Sequence, residues 1–203
     1  MPRTALALLL LAAGCREPDL SAVAPADIQS AQTACMQERV SAGLARLDSL
    51  DRAHPGNADV LAMRGMCRAV RFAADSVQAD ARAAYDDLSA ALAAVEAAPD
   101  AFQARPAQLY NQRAFVVQGL RPDDDAAMIA DLSRAVQLAP SNPAFVRDRG
   151  VARAIAGDTA AARADLRQFV ALAPADSASA DALRGLLGDR VPTDSVLSFP
   201  LAP

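Results

Sequence analysis

Few side chains in this sequence are equipped for chemistry. It holds one histidine, His54, and three cysteines, Cys15, Cys35 and Cys67, among 24 acidic and 20 basic residues. His54 stands beside Pro55-Gly56, where a helix-end role is the ordinary use of such a residue. A serine or cysteine nucleophile would have to borrow that one imidazole as its base, and no Gly-x-Ser-x-Gly elbow is present. Two cysteines and a remote histidine give no metal-ligand spacing. Asp123-Asp124-Asp125 has the charge for a cation but lacks the glycine turn and closing glutamate of a calcium loop, so it reads as a solvated turn that caps a helix. No glycine-rich loop able to cradle phosphate occurs. The expectation is therefore no catalytic residue, no metal and no cofactor.

Arginine and aspartate do recur at fixed places. Arg64-Gly65, Arg113-Ala114 and Arg149-Gly150 each precede a related hexapeptide, Asp87 to Leu92, Asp131 to Val136 and Asp165 to Val170, and these start 44 and then 34 residues apart. Three equivalent arginines and three equivalent aspartates predict an Arg-to-Asp bridge repeated within each unit, Arg64 to Asp87, Arg113 to Asp131 and Arg149 to Asp165.

The elements that must position them are helices. From Asp158, the residues Ala162, Leu166, Phe169, Val170 and Ala173 form one apolar stripe at helical period. The same template fits Asp124 with Met128, Leu132, Ala135, Val136 and Ala139, and Asp80 with Ala84, Leu88, Ala91, Leu92 and Val95, each headed by an acidic cap. A preceding helix carries the arginine and a small residue. Glycine is disfavoured inside a helix, so its use there marks a close approach of two backbones. Self-similarity at this spacing is the mark of a stacked helical array.

The last unit, Pro143 to Pro174, resembles a tetratricopeptide repeat, with Gly150 at the close crossing, Gly157-Asp158 at the turn, Ala162 facing Gly150, and Pro174 ending the second helix. The second unit keeps Ala114, Leu132, Ala135, Leu138 and Pro140 but has Met128 where a small residue is usual. The first departs further, with longer spacings from Gly65 to Asp80 and from its hexapeptide to Pro99. The resemblance implies an all-α, right-handed solenoid of antiparallel helix pairs. The expected units are about 57–99, 106–140 and 143–174, with helices before them from Ala26 to His54 and a capping helix at about 177–187 that presents Leu183, Leu186 and Leu187. It also implies a concave face lined by the first helix of each pair. Met66, Ala69 and Val70, then Asn111, Phe115 and Gln118, then Arg147, Val151 and Ala154 would line it; Met66 and Phe115 would serve as apolar anchors, and Asn111, Gln118 and Arg147 would bond a peptide. A groove filled by the protein's own N-terminal helix or tail would leave the same residues as packing.

Met1 to Cys15 is an address. Arg3 supplies a positive start, Ala5 to Ala13 is an apolar run too short to span a bilayer, and Leu11-Ala12-Ala13-Gly14 leads into Cys15. This resembles a bacterial lipoprotein signal, which implies cleavage after residue 14, lipid on the Cys15 thiol, and residues 15–25 as a tether. An ordinary secretory peptide is the alternative. Arg16 in place of aspartate implies the outer membrane, facing the periplasm, where the organism has one. With Cys15 lipidated, Cys35 and Cys67 remain, either bridged or as two buried thiols.

A formal charge of −4, with arginines interspersed among acids, argues against nucleic acid. Only 4% aromatic content within 53% apolar residues predicts a core of alanine, leucine and valine. Residues 189–203 read as a tail. The function expected is a lipid-anchored adaptor for a protein or peptide, attached to the membrane by lipid alone. The rivals are an envelope enzyme or enzyme accessory with an unrecognised site, and a purely structural lipoprotein.

Overall fold

A computed structural model describes residues 23–37 and 39–188. Nine helices occur among them: α1 (Pro25–Met36), α2 (Val40–Ala53), α3 (Ala58–Asp75), α4 (Gln78–Ala97), α5 (Pro106–Leu120), α6 (Asp125–Leu138), α7 (Pro143–Ile155), α8 (Thr159–Leu172) and α9 (Ser177–Leu186). Each odd helix from α1 to α7 pairs with the even helix after it, and the pairs stack in chain order: α2 on α3, α4 on α5, α6 on α7. The end is covered by α9, which packs on α7 and α8. This is an all-α solenoid, and no strand occurs among the described residues.

Local chemistry sets most of the helix starts. Asn57 accepts the N–H groups of Asp59 and Val60, Asn142 that of Ala144, and Asp124, Asp158 and Asp176 those of Ala127, Ala161 and Ser179. Pro25, Pro106 and Pro143 each open a helix, where their missing N–H is no loss. Asp80 is not a cap, contrary to the template. α4 begins at Gln78, and the Asp80 carboxylate, inside the first turn, takes a fork from Arg71 of α3 instead. The longer spacing in this unit is absorbed as helix: α3 has 18 residues and α7 has 13, and only Ser76-Val77 joins α3 to α4, Ser76 in the left-handed region at φ 56°. The added turns carry the extra ion pair.

The region 26–54, expected as helices ahead of the repeats, holds two, α1 and α2. They fold back through residues 37–39, of which Glu38 lies outside the described residues, and they make a further antiparallel pair ahead of the three expected units. Gly43 permits the closeness, since a Cβ there would overlap Cys35 Sγ and lie 2.9 Å from the Ala31 carbonyl oxygen. Cys35 of α1 is joined to Cys67 of α3 by a disulfide, with a Cα separation of 5.7 Å.

The core runs along the stack in segments. Ala81, Ala84, Leu88, Ala91 and Val95 form the spine of α4, and Phe102, from the linker between α4 and α5, closes that segment. At the far end Ala180, Leu183 and Leu187 of the capping segment are buried, whereas Leu186 is exposed, because it falls off the stripe made by the other three.

All three Arg-to-Asp bridges are present as two-bond forks. Arg64 reaches Asp87 at 3.0 and 2.8 Å, Arg113 reaches Asp131 at 2.8 and 2.7 Å, and Arg149 reaches Asp165 at 3.1 and 2.7 Å. The carboxylates are buried. Asp87 takes a second arginine, Arg68, and Asp165 takes Arg153, while Arg113 is flanked by the rings of Tyr85 and Tyr110 at 5.6 and 5.3 Å. Each fork fixes the rotation of a first helix on its second. Pairing with Asp87 and with Asp131 raises the pKa of Arg64 and of Arg113 above the ordinary arginine value, and burial works against both.

Candidate partner-binding face

The first helices lie side by side. α1 rests on α3, α3 on α5, and α9 on α7. A hydrogen bond of 2.9 Å from Asn111 Nδ2 of α5 to Asp148 Oδ2 of α7 joins the two halves.

This face is not uniform along its length. Toward the C-terminus it is closed. Val151 is buried with Ala162, Leu183 and Leu187, because α9 packs over that side of α7, and Ala154 packs against the same cluster. Arg147 places Nε and Nη2 at 2.9 and 2.7 Å from Asp148 Oδ1, so Asn111 and Arg147, both expected to reach toward a peptide, converge on one buried aspartate. Their charge and polarity are turned inward to hold α5 to α7. Phe115 and Gln118 lie partly buried on α5. Asp176, at the start of α9, has its carboxyl held below the ordinary aspartate range by the Ser179 backbone N–H and then its hydroxyl.

Toward the N-terminus the face is open. A groove of about 390 Å³ lies between α1, α3 and α5. Met63 and Met66 of α3 form its floor with Leu109 of α5, while Ile28, Gln29 and Gln32 of α1 wall one side. Gln108 and Gln112 of α5 and the linker residues Gln103 to Arg105 wall the other. Gln112 Nε2 sits 3.3 Å from Met66 Sδ, across the groove floor. The linker is held in place by Asp59 of α3, whose carboxylate accepts the N–H groups of Gln103 at 3.1 Å and Ala104 at 2.6 Å. Of the residues expected to line the face, Met66 alone is in this groove. Ala69 packs against the α3–α5 core, and Val70 faces a recess of about 750 Å³ beside Cys35 and Met36, where Arg71 is already bonded to Asp80.

Residues 119–188 match the tetratricopeptide repeat family. The fold as a whole is similar to the crystal structure of YrrB, described as a TPR protein with an unusual peptide-binding site. The TM-score is 0.59 at 16% identity, covering 83% of this chain and 79% of that one. The solenoid is tetratricopeptide-like. No curated protein matches the chain. The family match begins at the end of α5 and runs through α9, so it takes in the closed half of the face.

Apart from Met66, the groove residues were absent from the sequence expectations. Their signal was weak but present: Gln29 with Gln32, Met63 with Met66, and Gln108 with Gln112 are pairs at the three- or four-residue spacing that shares one helix face. Among the described residues no group of three or more His, Cys, Asp or Glu is arranged to hold a metal, and no helix is long and apolar enough to cross a membrane.

Proposed function

We propose that this protein is a lipid-anchored adaptor that holds a protein or peptide partner at the open, N-terminal half of its first-helix face. The tetratricopeptide-like fold supports partner binding by repeats, and proteins built this way are generally adaptors rather than enzymes. One observation carries the location: the groove between α1, α3 and α5 stays open, while α9 and the Asn111–Asp148–Arg147 tie close the face at α7.

The anchor is Cys15, exposed to the periplasm from the outer membrane where one exists. What supports it is the apolar run ending in Leu11-Ala12-Ala13-Gly14 ahead of that cysteine. Val23 is buried against α1, α2 and α3, so the tether would be effectively Cys15 to Ala22. Eight residue steps span at most about 30 Å. The α1 end would therefore ride close to the bilayer, and the partner would be captured there.

Two measurements test this. Metabolic labelling with a fatty acid should mark the wild type and leave Cys15→Ser unlabelled; equal labelling of both would remove the anchor. A photo-crosslinking amino acid at Met66 should trap a partner in living cells, and one at Arg134, exposed on the second helix of its pair, should not. Adducts from Arg134 alone would place the partner on the other side and end the groove assignment.

A further inference from the structure

The uncharged polar side chains of the open groove are of one kind. Half of the ten glutamines in the chain, Gln29, Gln32, Gln103, Gln108 and Gln112, line it. The weak contact of Gln112 with Met66 is the one hydrogen bond their carboxamides make among the described residues. Two charged side chains of opposite sign, Asp59 and Arg105, also line the groove, and each bonds the linker backbone. Asp59 holds the linker N–H groups, and Arg105 directs Nη1 to the Phe102 carbonyl oxygen at 3.4 Å. Farther along this face, on α7, Arg147 and Asp148 neutralise each other.

A carboxamide offers one acceptor and two donors, which is the complement of an extended backbone presenting alternate C=O and N–H groups. Thioethers on long, unbranched stems pack against apolar side chains of varied shape. Asp59 and Arg105 carry opposite charges, so the groove has no net charge with which to select a charged ligand. Resting on the partner-binding reading above, we propose that the groove takes an uncharged, extended polypeptide segment. The glutamine carboxamides hold its backbone, Met63 and Met66 hold its apolar side chains, and neither a charged side chain nor a terminal carboxylate enters. Two helix-to-helix steps of about 8–10 Å set the groove length. At about 3.3 Å per residue that is roughly five or six residues of ligand.

The test pans a random peptide library displayed on phage against the intact, disulfide-bonded protein. Selected sequences are then synthesised with blocked ends and their affinities read by fluorescence anisotropy. The expected binders share an uncharged apolar stretch, bind equally with amidated or free carboxyl ends, and keep their affinity as salt is raised. Gln112→Glu should weaken them tenfold or more and Gln112→Ala about three- to tenfold, as losing one net hydrogen bond does. Gln137→Glu, on α6, should change nothing, and circular dichroism melts confirm that all three variants fold. Binders that require a charged residue or a free carboxylate, yet are still weakened by Gln112→Glu, would overturn the ligand class and leave the groove standing. Binders indifferent to both Gln112 variants, or no binders at all, would overturn the groove reading as well. A synthetic peptide of residues 191–203 that outcompetes every selected sequence would make the chain's own end the occupant, and the assignment to a partner would fall.

Discussion

The disulfide is the strongest single attachment of the N-terminal pair, and removing it should loosen the chain in a graded way. α1 contributes only Ala31 and Cys35 as buried side chains, and Ala24 gives its N-terminus no side-chain cap. The bridge spans 32 residues, and closing a loop of that size in the unfolded chain is worth about 3.7 kcal/mol by the chain-entropy relation. A domain of this size has a total stability of about 5–15 kcal/mol, so the bridge is a large fraction of it. In the Cys35→Ala/Cys67→Ala protein, urea unfolding followed by circular dichroism should show a loss of about 3–4 kcal/mol. Hydrogen exchange should show where. In a stacked array each unit leans on its neighbours, so protection should vanish in α1, fall in α2 and α3, and change little in α7 to α9. A second substitution checks the geometry. Gly43→Ala should cost about 1–3 kcal/mol in the bridged protein by crowding Cys35 Sγ, and clearly less once that sulfur is gone. Unchanged α1 protection in the double variant, or strictly additive costs for Gly43→Ala, would refute this account of how the N-terminal pair is held.

Other perturbations should separate the remaining contributions. Asp165→Ala leaves Arg149 and Arg153 unpaired in a largely buried place and should cost about 3–5 kcal/mol in urea unfolding, more than Arg153→Ala, which leaves the Arg149 fork intact. Gly150→Ala would put a Cβ 3.0 Å from Leu183 Cδ2 and 3.1 Å from Asp165 Cβ, so a loss of about 1–3 kcal/mol is expected, with α9 exchanging faster. Gly157→Ala meets no atom within 4 Å but is held at φ 79°, and its cost, about 1–2 kcal/mol, should come from the backbone alone and spare α9. Acid should act on α9 through Asp176, whose folded pKa is lowered. The cap's contribution is present above the unfolded aspartate value of about 3.9 and is lost as pH falls through the lower folded value. Exchange at Ser179 should therefore rise only in strong acid, and Asp176→Asn should flatten that rise.

The parts of the fold legible in the sequence were those with punctuation. Pro143, Gly157-Asp158 and Pro174 bracket α7 and α8 closely, and the Arg and Asp of each unit pair as their equivalence demanded. Residues 37–39 contain neither glycine nor proline, so the break between α1 and α2 had no local sign; it is set by packing across Gly43 and by the bridge to Cys67. Asp80 misled because its register in the repeat matched a cap, while the lengthened α3 brought Arg71 within reach of it. Val151 misled for another reason. Which side of α7 is covered depends on α9, an element outside the repeat. The tie of Asn111 and Arg147 to Asp148 crosses between successive units, and a period read within units says nothing about it.

The same comparison explains where the groove is. The stretch most like the repeat family, from the end of α5 through α9, packs as the pattern dictates and buries its first-helix face under the next element. The groove lies instead where the chain departs from its own pattern. The leading pair is held by a disulfide in addition to its apolar cluster, and the linker after α4 buries Phe102 and is pinned by Asp59. These departures carry out two tasks that a regular repeat cannot perform together. They fix α1 through its bridge to α3 and the linker through Asp59, and they do so without spending the glutamine and methionine side chains. The glutamine and methionine side chains of the groove are thereby left with little to bond among themselves. Because these supports use a disulfide and one carboxylate rather than the glutamines and methionines, the groove can stay both open and shaped, which is what a site for an extended chain requires.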